Sequence, residues 1–108
     1  MKQQVFNKFF EFITNKMRDI LAGKSADYSA GNDKLFNFKL AGQMDGVTPV
    51  EALRGMHLKH RASIRQGLDD LIVGKVRSKE WWLEKTIDDM NYTILMLALL
   101  EEEFWDEE

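Results

Sequence analysis

An all-α, four-helix fold is what this sequence predicts, and three observations predict it. Apolar residues recur at three- and four-residue spacing along four separate segments; no stretch alternates apolar and polar residues for long; and the sole proline, Pro49, stands where a helix begins. With 108 residues the chain is read as a single domain, 1–108, with room for a modest core and something to gain from self-association.

Val5, Phe9, Phe12, Ile13, Met17, Ile20 and Leu21 lie at helical spacing, which predicts an amphipathic first helix of about five turns ending at Gly23. Phe6 and Phe10 widen its stripe onto a second face and point to a subunit contact. Lys24-Ser25-Ala26-Asp27-Tyr28-Ser29-Ala30-Gly31-Asn32 is rich in turn formers and has no period, so it reads as a loop. A short second helix is expected from about Asp33 to Asp45, with Leu35, Phe36, Phe38, Leu40, Ala41 and Met44 as its apolar positions and Gly46 as its stop.

Thr48-Pro49-Val50-Glu51 combines an N-cap hydroxyl, a proline at the first helical position and a glutamate three residues after the cap. The third helix starts there and carries Val50, Leu53, Met56, His57, His60, Ile64, Leu68, Leu71 and Ile72 along one side. Gly55 and Gly67 each cost it about 1 kcal/mol against alanine, which close helix packing would explain. Gly74 to Arg77 breaks the pattern, and Ser78 caps a fourth helix with Leu83, Ile87, Met90, Ile94 and Leu97 on its core stripe. Residues Thr93 to Leu100 are apolar almost all round, more than four short helices bury alone, so a dimer or tetramer built through the fourth helix is expected. The acidic tail 101–108, around Phe104 and Trp105, is expected to fray, because negative charge opposes the dipole at a helix C-terminus.

Composition narrows the function. A net charge of −3 without a basic stripe argues against nucleic acid as a partner. Cysteine is absent, which removes disulfides, thiolate metal sites and thiol nucleophiles. The apolar residues near the N-terminus are interrupted by Asn7, Lys8, Glu11 and Lys16, unlike an export signal, and no run reaches transmembrane length. A soluble, cytoplasmic protein with no membrane partner is the expectation. There is no nucleophile elbow and no glycine-rich phosphate loop.

The residues that suggest chemistry are Glu84, Asp88 and Asn91, spaced i, i+4, i+7 and so stacked in a column on the fourth helix. Two carboxylates one turn apart repel each other, and a hard cation such as Mg²⁺ offsets that repulsion with oxygen ligands it prefers. The plain alternative is a solvated column, or one salt-bridged to a neighbouring helix. Lys24, Asp27 and Tyr28, with Asn37, can converge on the column in a bundle; equally, Lys24 follows a helix end where a cation is favoured, and Tyr28 plugs the core. His57 and His60 are i, i+3 on the third helix but lack an HExxH pattern, and Lys59 with Arg54, Arg61 and Arg65 offers cations for an anionic ligand or simply a solvated face. Trp81-Trp82 is read as an edge pin for the fourth helix.

Lys24-Ser25-Ala26-Asp27-Tyr28, Asn37-Phe38, Lys59 and Glu84-x3-Asp88-x2-Asn91-Tyr92, in that order, resemble the small phage-type members of the all-α nucleoside triphosphate pyrophosphohydrolases: the MazG-like group and related nucleotide-modification-associated helical domains. The resemblance spans roughly residues 20 to 100. It implies a MazG-like bundle in which Glu84 and Asp88 bind Mg²⁺ (or Mn²⁺) and act as catalytic residues. It further implies that Lys24, Asp27, Tyr28, Asn37, Lys59, Asn91 and Tyr92 contact the nucleotide, and that pyrophosphate is released from a nucleoside triphosphate. The family's EExxE cluster is replaced here by Met56-His57-Leu58-Lys59-His60-Arg61. A two-metal site needs more carboxylates than remain. Either Asp27 or another subunit completes a one-metal site, or the chain binds nucleotides without turning them over. A phage-type interaction protein, using the aromatic first helix and acidic tail, is the expectation from another class.

Overall fold

The computed structural model describes the backbone of residues 1–28 and 33–105, and side chains for 1–23 and 33–105. Within them the chain forms α1 (Gln3–Tyr28), α2 (Phe36–Asp45), α3 (Pro49–Ile72) and α4 (Lys79–Leu100), followed by a π-helical turn at Glu101–Trp105, with no strand among the described residues. The all-α expectation holds at this level.

The helix starts follow local chemistry. Thr48 Oγ accepts from the Glu51 amide at 3.2 Å, with Pro49 as the first residue of α3, and Ser78 Oγ accepts from the Trp81 amide at 3.1 Å to open α4. Ahead of α2, the carboxylate of Asp33 accepts from the Leu35 amide at 3.0 Å and from Lys39 Nζ at 2.8 Å. Gly46 ends α2 at φ +70°, a conformation that glycine adopts at no steric cost.

One end differs from expectation. Gly23 has no positive φ, so α1 runs on through the backbone of residues 24–28 instead of stopping there. A glycine weakens a helix but ends it only when it turns left-handed. The acidic segment Glu101–Trp105 continues α4 as a widened turn, and Glu102 reaches Lys39 of α2 at 2.6 Å. That ion pair gives one of the repelling carboxylates a partner.

α3 and α4 form an antiparallel hairpin. His57 meets Asp89, His60 faces Asp88 and Gly67 lies against Trp81, each pair about equally spaced from the Val73–Ser78 turn. Asp70 organises that corner: one of its oxygens accepts from Arg77 Nη2 at 2.7 Å and Nε at 3.2 Å, and its other oxygen accepts from Gln66. The Arg77 guanidinium, which also lies over the Trp81 ring, and the Gln66 amide hold the Asp70 carboxyl below the usual range. Gly67 has a structural reason, since a Cβ there would lie 2.6 Å from the Trp81 ring, whereas Gly55 faces open space.

The main core sits where α2, α3 and the second half of α4 meet: Leu35, Phe38, Leu53 and Leu99 are buried, with Val50, Met56, Tyr92, Leu95 and Met96 packed round them. α1 stands apart. It packs on α4, with its Phe12 ring near Lys79 and its Met17 carbonyl near Asn91, so these two helices run in the same sense. Its first ten residues, Gln3 to Phe12, are all exposed, five large apolar side chains among them. On α4 the expected core stripe divides: Ile87 is buried, while Ile94 and Leu97 are about half exposed.

Candidate functional site

The column expected on α4 is pulled in different directions. Glu84 is exposed, with Lys85 Nζ 3.9 Å from its carboxylate. Asp88, one turn on, turns towards α3, its side chain only 16 % exposed and its Oδ2 3.8 Å from His60 Nδ1. Asn91 is buried at 2 % exposure and donates from Nδ2 to the Met17 carbonyl of α1 at 3.3 Å, while its Oδ1 has no partner among the described residues. The amide therefore helps to hold α1, and its unmatched acceptor is a buried polar atom of the kind that favours a donor from a water or ligand.

What gathers round Asp88 comes from α3. His57 Nε2 lies 2.6 Å from Asp89 Oδ1, and since a carboxylate can only accept, Nε2 carries the proton in this contact. The Tyr92 ring stacks on His57 at 5.6 Å between centroids, lies tilted against His60 at 4.9 Å, and meets the edge of Phe38 from α2 at 6.2 Å. The result is a half-buried cluster of two imidazoles, two carboxylates and a phenol between α3 and α4, backed by the core through Phe38 and Tyr92. A buried carboxylate needs a cationic or donor partner, and here histidine fills that place.

Of the other expected residues, Asn37 is half-buried on α2 next to Phe38, and Lys59 is exposed on α3 beside His60. The side chains of Lys24, Asp27 and Tyr28 lie outside the described residues. The structure thus brings Asp88 and Tyr92 together and separates Glu84, towards solvent, from Asn91, in the α1 seam. Asp89 had no role in the sequence reading, and His57 and His60 entered it as members of one side of the third helix and as a metal pair. The signal for them was hairpin register: helices joined by a short turn after Ile72 place residues 57–60 opposite 88–89.

Among the described residues no group of three His, Cys, Asp or Glu is arranged to hold a metal. Mg²⁺ commonly takes only one or two protein carboxylates and fills its shell with water and phosphate oxygens. No helix among the described residues is long and apolar enough to cross a membrane. Comparison with family models, with curated proteins and with solved structures found no match to this chain.

Proposed function

We propose that the α3–α4 seam is a nucleotide-binding site of MazG-like type, in which Asp88 and Glu84 take one Mg²⁺ against the phosphates and the cluster around Tyr92 forms the wall. The observation that carries this reading is the half-buried grouping of Asp88, Asp89, His57, His60 and Tyr92, more polar and more aromatic than hairpin packing alone requires. The imidazoles and Lys59 would face phosphate, Asn37 and Asn91 would serve the sugar or phosphate, and Mg²⁺, when bound, would neutralise phosphate charge and lower the pKa of a bound water. Lys24, Asp27 and Tyr28 belong to the same proposal through the sequence resemblance alone.

Two versions share this site. In the first the chain is a pyrophosphohydrolase that cleaves between the α and β phosphates. In the second it binds a nucleotide or nucleotide signal without catalysis, and a specific observation favours it: imidazoles stand against both inward carboxylates, where the resembling family supplies more acids to gather metal. Self-association through α4 completes the reading, supported by the half-exposed Ile94 and Leu97.

A screen of purified protein against common ribo- and deoxyribonucleoside triphosphates with Mg²⁺ or Mn²⁺, read by thermal shift and pyrophosphate release, tests both versions. Nucleotide stabilisation that disappears in Glu84→Gln/Asp88→Asn supports the site. Turnover that falls far more than affinity in Asp88→Asn identifies the enzyme, because metal acts chiefly on charge that develops in the transition state. Binding without release of pyrophosphate or phosphate leaves the binding protein. No response to any nucleotide overturns the proposal.

A further inference from the structure

Between α1 and the first half of α4 runs an apolar groove of about 480 Å³, floored by Trp82, Leu83 and Met90 and walled by Phe6, Phe10 and Ile13. Lys79 borders it, and Lys16 and Lys79 both lie over the ring of Phe12. At the far end of α4 stand two half-exposed aromatics, Phe104 and Trp105, in a segment that carries six carboxylates between Glu101 and Glu108. One region is apolar and edged by cations; the other is aromatic and anionic.

The spacing of α4 connects them. Leu83, Ile87, Met90, Ile94, Leu97, Glu101 and Phe104 alternate by four and three residues, the pattern of a helix-pairing seam. α1 lies along the first part of that seam, where Leu83 and Met90 floor the groove, and the later apolar members, Ile94, Leu97 and Phe104, are about half exposed. About twenty residues separate groove from aromatics, roughly 30 Å along a helix at 1.5 Å per residue. A continuous α4 and π-helical turn cannot bend back over that distance, so the aromatics of a chain do not reach its own groove.

We propose that a second copy of this chain fills the groove: two α4 helices pair antiparallel about Ile94, and Phe104 and Trp105 of each enter the α1–α4 groove of the other. In that register positions equally far before and after Ile94 lie level with each other along the pair, and the residues that the monomer leaves exposed make the contact. Phe104 and Trp105 then come level with Leu83, which floors the groove, and Glu103 comes level with Lys85. The contact is two-fold symmetric and closes on itself, so it yields a dimer and not a filament. Aromatic residues in an apolar pocket supply the anchor, and the charge pair fixes direction. This inference rests on the self-association through α4 proposed above and adds its register and its groove.

The test is sedimentation equilibrium over a hundredfold concentration range, on the parent, on Phe104→Ser/Trp105→Ser and on Phe10→Glu, with circular dichroism melts to show that each variant folds. The parent is expected to dimerise, and each variant to weaken dimerisation at least tenfold. An equimolar mixture of the two variants should recover part of the association, because one intact tail then meets one intact groove. Since the chain has no cysteine, Lys85→Cys/Glu103→Cys should also yield a disulfide-linked dimer on mild oxidation. A parent that stays monomeric overturns both this inference and the α4 assembly beneath it. A dimer indifferent to the tail substitutions, or one abolished by Phe10→Glu but not recovered on mixing, overturns the groove contact alone.

Discussion

The α3–α4 hairpin and α1 are similar in helix length yet are held in different ways. The hairpin is fixed at its turn by Asp70 and Arg77, along its seam by the imidazole–carboxylate cluster, and at Gly67 by a tryptophan ring too close to admit a Cβ. It also shares the buried Leu53 and Leu99 with α2. α1 has a hydrogen bond from Asn91 and one apolar flank on α4, and shows solvent a row of phenylalanines. Stability in such a molecule is uneven. The hairpin and α2 carry the cooperative core, and α1 is an element that gains much from any surface laid over it.

The largest way to break that contrast is in the core. Leu53→Ala removes a side chain that is 1 % exposed and is expected to cost about 2–5 kcal/mol through lost burial and the cavity left behind. Val5→Ala, at an exposed position of α1, is expected to stay within about 0.5 kcal/mol. Urea titrations of both variants, at a concentration where the protein is monomeric, check the pair. Comparable losses would mean that α1 belongs to the core as firmly as α3 does.

A finer comparison uses the two glycines of α3. Gly67→Ala is expected to destabilise by about 1–3 kcal/mol, since its methyl must displace the Trp81 ring. Gly55→Ala meets nothing within contact distance and should stabilise by up to about 1 kcal/mol, the ordinary helix-propensity gain. Melting temperatures that move in opposite directions would sharpen the assignment of Gly67 as a packing device; a stabilised Gly67→Ala would show that the ring shifts freely.

These glycines also show how much was legible in the sequence. Periodicity and caps were enough for the helices, because Thr48, Ser78 and Gly46 act through their own neighbours in the chain. Close packing at a glycine could be named as a motive, but nothing local tells Gly67 from Gly55; only the arrival of Trp81 from another helix does. The same limit applied to the site. Spacing put Glu84, Asp88 and Asn91 on one side of α4, and a helix side some 100° wide can face solvent, α3 and α1 at once. Asp89 was passed over because its partner His57 lies thirty-two residues away. The end of α1 was misjudged because composition marks where a chain tolerates a turn and does not show where the backbone takes one.

The smallest expected effect concerns pH, and it separates the hairpin corner from the rest. Arg77 and Gln66 hold the Asp70 carboxyl below its ordinary value of 3.8, so the folded state binds that proton less readily than the unfolded chain. Its contribution to stability is therefore complete above the unfolded pKa and is lost as pH falls through the folded one. Asp33 behaves alike, lowered first by Lys39 and next by the Leu35 amide. Lys39 is raised from 10.5 by Asp33 and Glu102, so its share is complete below that value and is lost as pH climbs through the higher folded one. Asp70→Asn should accordingly lower the melting temperature at neutral pH and flatten the decline below about pH 4, where the parent carboxylate begins to protonate. Melts at stepwise pH between neutrality and pH 2 check this. If parent and variant keep the same difference throughout the acid range, the ion pair contributes no pH dependence, and the corner is held by the Gly74 turn, at φ +83°, and the stacking of Arg77 on Trp81.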